Sequence, residues 1–566
     1  DRDELKRIRN DVGSQLALME CKPRHNTVDT PTLFWAGIPG NEADFPAEES
    51  FYTFLGQALC LFVEETNYKS SLSPFGIKMV DRVSGRPLHI DISDLPMKKG
   101  ITTNRNKFIL GPSGSGKSFF TNHMVRQYYE QGAHVLLVDT GNSYEGLCEY
   151  LGGKYISYTE ERPITMNPFR INRAEMNVEK TGFLKNLVLL IWKGSQGTVT
   201  KTEDRLIEQV ITEYYDTFFN GFDGFTPLQR EDLRKGLLID DRNRTEKRDE
   251  DERERAGRIE RMIDEMERRR KELKVEELSF NSFYEFSVQR IPDICTENHI
   301  SGIDISTYRY MMKDFYRGGN HEKTLNENMD SSLFDETFIV FEIDSIKDDP
   351  LLFPLVTLII MDVFLQKMRI KKNRKVLVIE EAWKAIASPL MAEYIKFMYK
   401  TARKFWASVG VVTQEIQDII GSPIVKEAII NNSDVVMLLD QSKFRERFDE
   451  IKAILGLTDV DCKKIFTINR LENKEGRSFF REVFIRRGTT SGVYGVEEPR
   501  ECYMTYTTER AEKEALKLYK RELRCSHQEA IEAYCRDWNA SGIGKSLPFA
   551  QKVNEAGQVL NLHVKQ

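Results

Sequence analysis

A chain of 566 residues is too long to fold around one hydrophobic core, so roughly two to four folding units are expected. The composition, 40% hydrophobic and 30% charged, is typical of a soluble globular protein, and the net charge of -6 excludes an overall positive field that would attract nucleic acid. The eight cysteines form no C-x-x-C pair and no close cluster with histidine, which favours reduced thiols in a cytosolic protein over a disulfide framework or a metal site.

The first regular elements in chain order are a hairpin and a strand–turn–helix–strand unit. Residues 75–93 contain two short segments around Ser84 and Gly85, and the second segment alternates apolar and polar residues as in a β-hairpin. From residue 106, NKFILG predicts a short buried strand, a glycine-rich turn then opens a helix, and HVLLVD predicts the next strand. This βαβ pattern implies a parallel sheet.

A helical region interrupts the strand pattern between residues 172 and 330. Its charge-dense run, 240–275, has one narrow apolar face, which favours a solvated helix or helical hairpin over a partner-binding lever. The apolar run 351–365 is too short to span a bilayer and predicts a buried helix. Strand patterns return at 337–344, 376–381, 408–414 and 434–440. We therefore predict an α/β core with an inserted all-α domain, followed by a charged helical tail.

The glycine-rich turn is the strongest chemical signal in the sequence. GPSGSGKS, residues 111–118, satisfies the phosphate-loop pattern G-x-x-x-x-G-K-[ST]. Its glycines let successive backbone N–H groups point inward, Lys117 reaches the terminal phosphates, and the Ser118 hydroxyl binds Mg²⁺. We therefore predict ATP and Mg²⁺ as ligands. The residues predicted to contact the nucleotide are Gly111, Pro112, Ser113, Gly114, Ser115, Gly116, Lys117, Ser118 and Phe119.

Polar residues at the ends of three other predicted strands complete the expected site. In VLVIEE, Glu380 is predicted to hold Mg²⁺ through water, and Glu381 to be the general base that polarises the attacking water. Because neighbouring strand residues face opposite sides, both serve one site only if the strand ends there. Gln414 is predicted to contact the γ-phosphate and the attacking water. Asp139 is either a further metal ligand or a turn or helix cap.

These motifs together resemble those of a known family. GPSGSGKS, HVLLVDTGNSYEGL, MNPFRI, VLVIEEAWKAI and ARKFWASVGVVTQEIQDI occur in the order found in the large ATPases of conjugation and type IV secretion machines. The chain is similar to the TraG-type form carried by conjugative transposons of Bacteroides-like bacteria, over residues from about 70 to about 500. The resemblance implies a RecA-like P-loop core, mostly parallel, with a helical insertion. It also implies an N-terminal domain that docks on the machine.

The resemblance and the composition shifts give five expected segments. Residues 1–70 are the remnant of the N-terminal domain, and 71–171 are the first part of the ATPase core with its leading hairpin. Residues 172–330 are the inserted helical domain, 331–500 the second part of the core, and 501–566 a C-terminal helical tail. Since the chain starts at Asp1 with no Met, we expect a fragment or a processed form.

The resemblance also bears on individual residues. Most relatives have Asp-Glu where this chain has Glu380-Glu381, which leaves the manner of metal coordination open. Related ring-shaped motors carry an arginine on the helix before the glutamine strand, and Arg403 matches that place. It would reach the γ-phosphate bound by the neighbouring subunit and stabilise charge in the transition state. Further candidates for a second sensor are Arg477, Arg486 and Arg487.

The implied function is an ATP-hydrolysing motor for pilus assembly or DNA or protein transfer. It would form a hexamer or other ring, or a monomer as a fragment, on the cytoplasmic side of the inner membrane with components of the machine. A DNA-pumping translocase or coupling protein of the same fold is one alternative, and a nucleotide-gated scaffold with negligible turnover is another. The basic clusters 369–375 and 268–271 are candidate DNA contacts, although a helix end explains the first adequately. No transmembrane segment is predicted.

Overall fold

The structure, a computed structural model, divides into two compact units, residues 1–67 and 68–566. In the smaller unit lie helices α1 (Arg2–Leu18), α2 (Thr30–Ala36) and α3 (Leu55–Leu59). None of the residues of α1 is buried, and Ala36 is the single buried residue among those described in this unit. The described residues are 1–18, 28–50, 52–59, 68–159, 161–195, 197–243, 252–328, 331–380, 389–414, 429–471, 477 and 479–562.

The larger unit is built on one sheet of eleven strands within the described ranges. The strands are β1 (Ile77–Val80), β2 (Pro87–Ile90), β3 (Lys107–Leu110), β4 (His134–Asp139), β5 (Lys154–Ser157), β6 (Phe338–Glu342), β7 (Lys375–Glu380), β8 (Ala407–Thr413), β9 (Val435–Leu438), β10 (Phe480–Arg487) and β11 (Thr490–Glu497). Their spatial order is β2-β1-β11-β10-β9-β3-β8-β7-β4-β6-β5. From β9 to β5 the pairing is parallel, and from β2 to β9 it is antiparallel.

Six strands of the parallel part of the sheet are largely apolar because both faces of the sheet are covered there. Strands β3, β4, β6, β7, β8 and β9 are buried at every position, and continuous apolar runs are typical of such strands. The hairpin of β1 and β2 and these six strands confirm the sequence prediction. Strand β5 and the hairpin of β10 and β11 were not predicted.

Helices fill both faces of the sheet. Among the described residues before β6 they are α4 (Asp94–Lys98), α5 (Lys117–Glu130), α6 (Glu145–Tyr150), α7 (Val178–Lys193), α8 (Lys201–Asn220), α9 (Pro227–Asn243), α10 (Glu252–Glu272), α11 (Phe280–Glu297), α12 (Ile305–Met312) and α13 (Glu322–Asn326). After β6 they are α14 (Leu352–Ile370), α15 (Pro389–Ala402), α16 (Phe448–Leu455), α17 (Asp459–Ile465), α18 (Arg500–Tyr506), α19 (Arg510–Leu523), α20 (His527–Ala540) and α21 (Ser546–Ala556).

Two large cores lie on opposite faces of the sheet. One is formed by α7, α8, α11, α14 and α15 against one face of the strands, and the other by α5, α6 and the leading hairpin against the opposite face. The prediction of a buried helix at 351–365 is confirmed by α14, which is buried at most positions. Among the described helices, none combines the length and the apolarity needed to cross a bilayer.

Two smaller cores lie beyond the sheet. Helices α9 and α10 enclose Leu237, Ile259, Ile263 and Met266. The run 240–275, expected as a solvated helix or helical hairpin, contains the end of α9 and the helix α10, whose narrow apolar face packs against α9. Helices α18 to α21 form a C-terminal bundle around aromatic residues such as Trp538. Helix α18 contacts both α5 and α6, so the bundle sits beside the helix that follows the glycine-rich loop.

Candidate nucleotide-binding site

The loop between β3 and α5 has the backbone of a phosphate cradle. Gly114 and Gly116 have φ of 80° and 91°, which places two residues in the left-handed region that glycine tolerates best. A Cβ on Gly111 would lie 2.8 Å from Leu439 Cδ1 and 2.8 Å from Ser115 Oγ, so that position has no room for a side chain. Helix α5 begins at Lys117, and its positive end faces the loop.

The structure brings the lysine of this loop to the carboxylate that ends β7. Lys117 Nζ lies 3.8 Å from Glu380 Oε2, and both side chains are buried. The residues are 263 positions apart in the chain, and they meet because β7 and β3 are both paired with β8. On the other side of the loop, Ser118 Oγ lies 3.4 Å from Ser143 Oγ.

Tyr144 fixes the orientation of Glu380. Its hydroxyl donates to Glu380 Oε1 at 2.8 Å, and Thr121 Oγ1, one turn along α5, lies 2.9 Å from the same hydroxyl oxygen. The ring is fully buried, and burial together with the charge of Glu380 raises the pKa of Tyr144 well above its ordinary value. Tyr144 therefore stays a proton donor, and Glu380 keeps one oxygen for Tyr144 and turns the other toward Lys117.

Asp139 and Glu342 form a carboxyl pair beside Glu380. They are partners in the β4–β6 register, at the ends of adjacent strands. Burial, and then the charges of Glu380 and Glu342, raise the pKa of Asp139 well above its ordinary value, and burial raises the pKa of Glu342. Both carboxyl groups therefore favour the protonated form more than isolated carboxyl groups do.

This pair organises the loop after β4. Asp139 accepts from the backbone N–H of Ser143 at 2.7 Å and of Tyr144 at 3.1 Å, and Glu342 accepts from the N–H of Asn142 at 3.0 Å. Asp139 is fully buried, and it is not among the residues that line the cavity beside the loop. Its observed contacts are those of a turn-organising residue that positions Ser143 and Tyr144.

A cavity of about 1090 Å³ opens over the phosphate loop. One wall is formed by the loop itself, by Ser143 and by Glu380, and Gln414 lies on it at the end of β8. Gln414 is half-buried. The opposite wall comes from the C-terminal bundle and the start of β10. Its residues include Phe479, Arg481, Tyr503, Tyr506, Glu509 and Glu512.

Arg481 approaches the loop more closely than any of the arginines named from the sequence. Its Cγ would lie 3.1 Å from a Cβ on Gly116, and its side chain is exposed to the cavity. Arg477 instead pairs with Glu497 at 2.7 Å. Arg486 donates to the carbonyls of Leu455 and Gly456, and Arg487 donates to the hydroxyl of Tyr494 and to the carbonyl of Asp91.

Two predicted catalytic residues are not brought to the cavity by the described structure. Glu381 lies outside the described residues. Arg403 is exposed at the C-terminal end of α15, before β8 begins, whereas the phosphate loop lies beyond the end of β8. The seven residues of β8 separate the two places, roughly 20 Å at the rise of a strand. Arg403 is therefore too far to contact a phosphate on its own chain's loop.

The predicted basic clusters are largely paired with acids. In the cluster 369–375, Arg374 pairs with Asp94 and lies over the rings of Phe75 and Trp406, and Lys375 is buried. In the cluster 268–271 every cation has an acidic partner. These partners are Glu265, Glu272, Asp293, Glu213 and Glu267. Neither cluster presents a continuous row of unpaired charge.

The donor set at the loop suits a hard cation. Among the described residues, no three His, Cys, Asp or Glu side chains converge as a protein-only metal site. Ser118 and Glu380 do face the same cavity. Oxygen ligands of this kind, completed by phosphates and water, are what Mg²⁺ prefers, since it rarely takes an all-protein cage. The residues present therefore fit Mg²⁺ bound together with a nucleotide.

Comparison with known families agrees with this geometry. The family model of the TraG P-loop domain matches residues 76–229 and 228–538, which is most of the chain. The chain belongs to the TraG P-loop family. This family membership confirms the resemblance drawn from the phosphate loop, the strand-end acids and the glutamine strand.

Curated relatives of this TraG P-loop chain match over parts of their length. Protein TraC of Escherichia coli (strain K12) is 21% identical over 357 residues, covering 62% of this chain and 34% of TraC. The type IV secretion system protein virB4 of Bartonella henselae is 25% identical over 186 residues, covering 31% of this chain and 22% of virB4. The matched segments thus span about a third or less of these relatives.

A solved structure supports the fold of the TraG P-loop chain. VirB4 of Thermoanaerobacter pseudethanolicus superposes with a TM-score of 0.50 at 19% identity, covering 77% of this chain and 100% of that one. The RecA-like P-loop core with helices inserted between its strands, expected from the sequence, is thereby confirmed.

Sequence reasoning missed several residues of this site. Glu342 ends a strand that was predicted, so its position carried the same signal as Asp139. No sequence pattern indicated Tyr144 as a site residue, because its contact with Glu380 depends on the conformation of the loop after β4. Arg481 lies in FREVFIRR, where Arg481 and Glu482 are adjacent polar residues and Glu482 is buried, so no alternation of apolar and polar residues marked this strand.

Proposed function

We propose that this chain hydrolyses ATP and is the motor of a conjugation or type IV secretion machine. The single observation that carries the proposal is the approach of Lys117 Nζ to Glu380 Oε2, 3.8 Å, in the wall of a cavity that also contains Gln414. A phosphate loop alone supports nucleotide binding, whereas a loop lysine, a strand-end carboxylate and a strand-end amide around one cavity support hydrolysis.

Different residues of the cavity would bind different parts of the nucleotide. The N–H groups of the loop and the positive end of α5 attract the phosphates, and Lys117 adds a charge at the β- and γ-phosphates. Arg481, on the opposite wall, would approach the phosphates from the side of the sheet's antiparallel strands. Phe479 and Tyr503, stacked with ring centroids 4.3 Å apart, offer an aromatic surface for the base.

Hydrolysis needs a water molecule aligned with the γ-phosphate. Gln414 can accept a hydrogen bond from that water through its carbonyl oxygen and donate to the phosphate through its amide. Glu381 directly follows Glu380 in the sequence, and we assign it the removal of a proton from that water. Ser118 and Glu380 would hold Mg²⁺, Glu380 through water. The ion would neutralise charge that develops on the phosphate oxygens.

The proposed partners follow from the same assignment. Arg403 is exposed and too far from its own loop, so in a ring of subunits it would serve the neighbour's nucleotide. The ring is proposed as a hexamer or other closed assembly on the cytoplasmic side of the inner membrane. Names of the curated relatives place them in type IV secretion systems, and by analogy this chain would contact components of such a machine.

Direct DNA contact is not part of the proposal. The two basic clusters named from the sequence have most of their cations in ion pairs, as at Arg374 with Asp94 and Arg270 with Glu213. Among the described residues, no contact or charged surface specifically favours a DNA-pumping function. A scaffold that merely binds nucleotide would not require the strand-end acids and Gln414 around the phosphate loop.

The test separates binding from turnover. Glu381→Gln is expected to keep ATP binding and to lower kcat by about 10²- to 10⁴-fold, the usual contribution of a general base. Lys117→Ala is expected to lose nucleotide binding itself. The matched control is Glu509→Gln, which removes a negative charge from the opposite wall of the same cavity and should leave kcat within about twofold.

Binding is measured by titration with a fluorescent ATP analogue, and turnover by phosphate release at saturating ATP. If Glu381→Gln hydrolysed ATP at the parental rate, Glu381 would not be the base. If the parental chain bound ATP but released no phosphate at any protein concentration, the scaffold would be the correct function.

A further inference from the structure

A second cavity lies beside the nucleotide site, between α6 and the C-terminal bundle. Its volume is about 430 Å³, within the range of small-molecule sites. Its floor includes Met504, Leu516 and Cys525, and its α6 wall includes Gly146. A Cβ at Gly146 would lie 2.8 Å from the carbonyl oxygen of Thr505, so α6 and α18 approach closely where the cavity closes.

One face of α19 gives this cavity a strongly basic wall. Counting from Lys513, the basic residues of α19 follow at positions +4, +7 and +8, which keeps them within a sector of about 100° on an α-helix. Arg524 follows directly after the helix ends at Leu523. The opposite face, with Ala515 and Tyr519, is buried in the bundle. The five basic residues lining the cavity are Lys513, Lys517, Lys520, Arg521 and Arg524.

The acids of α6 neutralise part of this charge. Glu145 lies 3.6 Å from both Lys513 and Lys517, and Glu149 pairs with Lys520 and with His527. Within the described structure, no other acid lines the cavity, so five cations face two carboxylates and three positive charges remain.

Two exposed cations in the cavity wall are available to a ligand. Among the described residues, the guanidinium groups of Arg521 and Arg524 have no acidic partner. His527 Nδ1 lies 3.2 Å from Glu149, but its Nε2 is buried in the cavity wall without a hydrogen-bond partner. His527 Nε2 has no exposed surface in the cavity, so the two guanidinium groups, and not the imidazole, are the donors available to a ligand.

We propose that this cavity is a binding site for a compact phosphorylated anion with an apolar body. Phosphoryl groups match the surplus of three positive charges, and the planar forks of Arg521 and Arg524 suit their oxygens. The apolar floor would contact the ligand's organic part, as in a nucleoside phosphate. The site is distinct from the cavity over the phosphate loop, although Thr507 lines both.

The test uses the Lys117→Ala chain, in which we expect the phosphate loop not to hold nucleotides; the choice of this chain rests on the proposed function. Sodium tripolyphosphate, pyrophosphate and ADP are titrated into it by calorimetry at low salt. We expect one saturable site for each, with ADP binding more tightly than pyrophosphate because of the apolar floor. The double substitution Arg521→Ala with Arg524→Ala should weaken all three by at least about tenfold.

A charge-matched control distinguishes the site from general attraction. Arg510→Ala with Arg536→Ala removes two exposed arginines of the same bundle that do not line the cavity. This control should bind all three probes as the Lys117→Ala parent does. Circular dichroism and the melting temperature show that each variant is folded, which is expected since all four arginines are exposed.

Three outcomes would overturn the proposal. The first is the absence of saturable binding in the folded Lys117→Ala chain. The second is an equal loss in the control double variant, since this would mean diffuse attraction to the bundle. The third is a single-stranded oligonucleotide that binds through Arg521 and Arg524 more tightly than any small probe, since the face would then be a polymer surface. Because these titrations measure binding without turnover, their failure leaves the proposed ATPase function unaffected.

Discussion

Tyr144→Phe removes one hydroxyl from the candidate site and leaves the rest of the side chain in place. That hydroxyl donates to Glu380 Oε1 at 2.8 Å in a fully buried position. A hydrogen bond to a charged group contributes about 1.5–3 kcal/mol. If Glu380 needs this bond to hold its position as charge develops on the phosphate, kcat falls by about 10- to 150-fold, the same free energy expressed as a rate.

A matched control separates positioning from stability. Tyr519 donates to Asp537 at 2.7 Å inside the C-terminal bundle, so Tyr519→Phe removes the same kind of buried bond away from the phosphate loop. Both variants are expected to lower the free energy of unfolding by a similar amount. Only Tyr144→Phe should lower kcat, with the KM for ATP within about twofold because the phosphate loop is unchanged.

The assay is steady-state phosphate release over a range of ATP concentrations, with urea unfolding of both variants. The reasoning is refuted if Tyr144→Phe keeps the parental kcat while its stability falls, since Glu380 would then need no orientation by Tyr144. It is also refuted if Tyr519→Phe lowers kcat equally, because the effect would then follow stability alone.

Two other predictions concern the core and the assembly. Burial, followed by the charges of Arg374 and Arg105, lowers the pKa of Lys107 to about 7. Since an unfolded lysine binds its proton up to about pH 10.4, this group makes the chain more stable as pH rises above 7, by about 2 to 3 kcal/mol between pH 7.5 and 9.5. Lys107→Met should abolish that part of the rise in urea unfolding, whereas exposed Lys154→Met should not. For the ring, mixing Arg403→Ala chains with Lys117→Ala chains should restore ATPase activity, while Gln414→Ala mixed with Lys117→Ala should not, because those two residues line one cavity.

The central sheet could be predicted from the sequence because its strands are buried on both faces. Runs such as FIL in β3 and VLVI in β7 are uniformly apolar, and the glycine loop or an acid marks where each ends. The carboxyl ends of parallel strands lie at the same edge of a sheet. The sequence therefore also predicted that Lys117, Glu380 and Gln414 lie at one edge of the sheet. These are features that local sequence encodes directly.

The rest of the site depends on contacts between distant segments. Asp139 could be placed at the correct sheet edge, but its role follows from Glu342, about 200 residues later and adjacent only through the β4–β6 pairing. Arg481 reaches the phosphate loop because β10 pairs antiparallel with β9. The C-terminal bundle forms the opposite wall of the cavity. The sequence of this bundle shows only a charged helical tail and does not indicate which surface of the protein the tail covers.

The packing of the helices between β5 and β6 decides whether they can be removed as a separate domain. The chain leaves the sheet after the edge strand β5 and returns to it at the neighbouring strand β6. This connectivity suggests that the intervening helices could be removed as a separate module. Yet Phe183 and Leu187 of α7 belong to the same continuous core as Leu136 and Phe341 of the strands. Excising residues 159–337 would therefore remove α7, α8 and α11 from that face, expose the apolar surface that they cover on α14 and the strands, and yield an aggregating remnant instead of a minimal motor. Among the described helices between β5 and β6, α9 and α10 enclose a small core of their own, so changes of length are best tolerated at this pair.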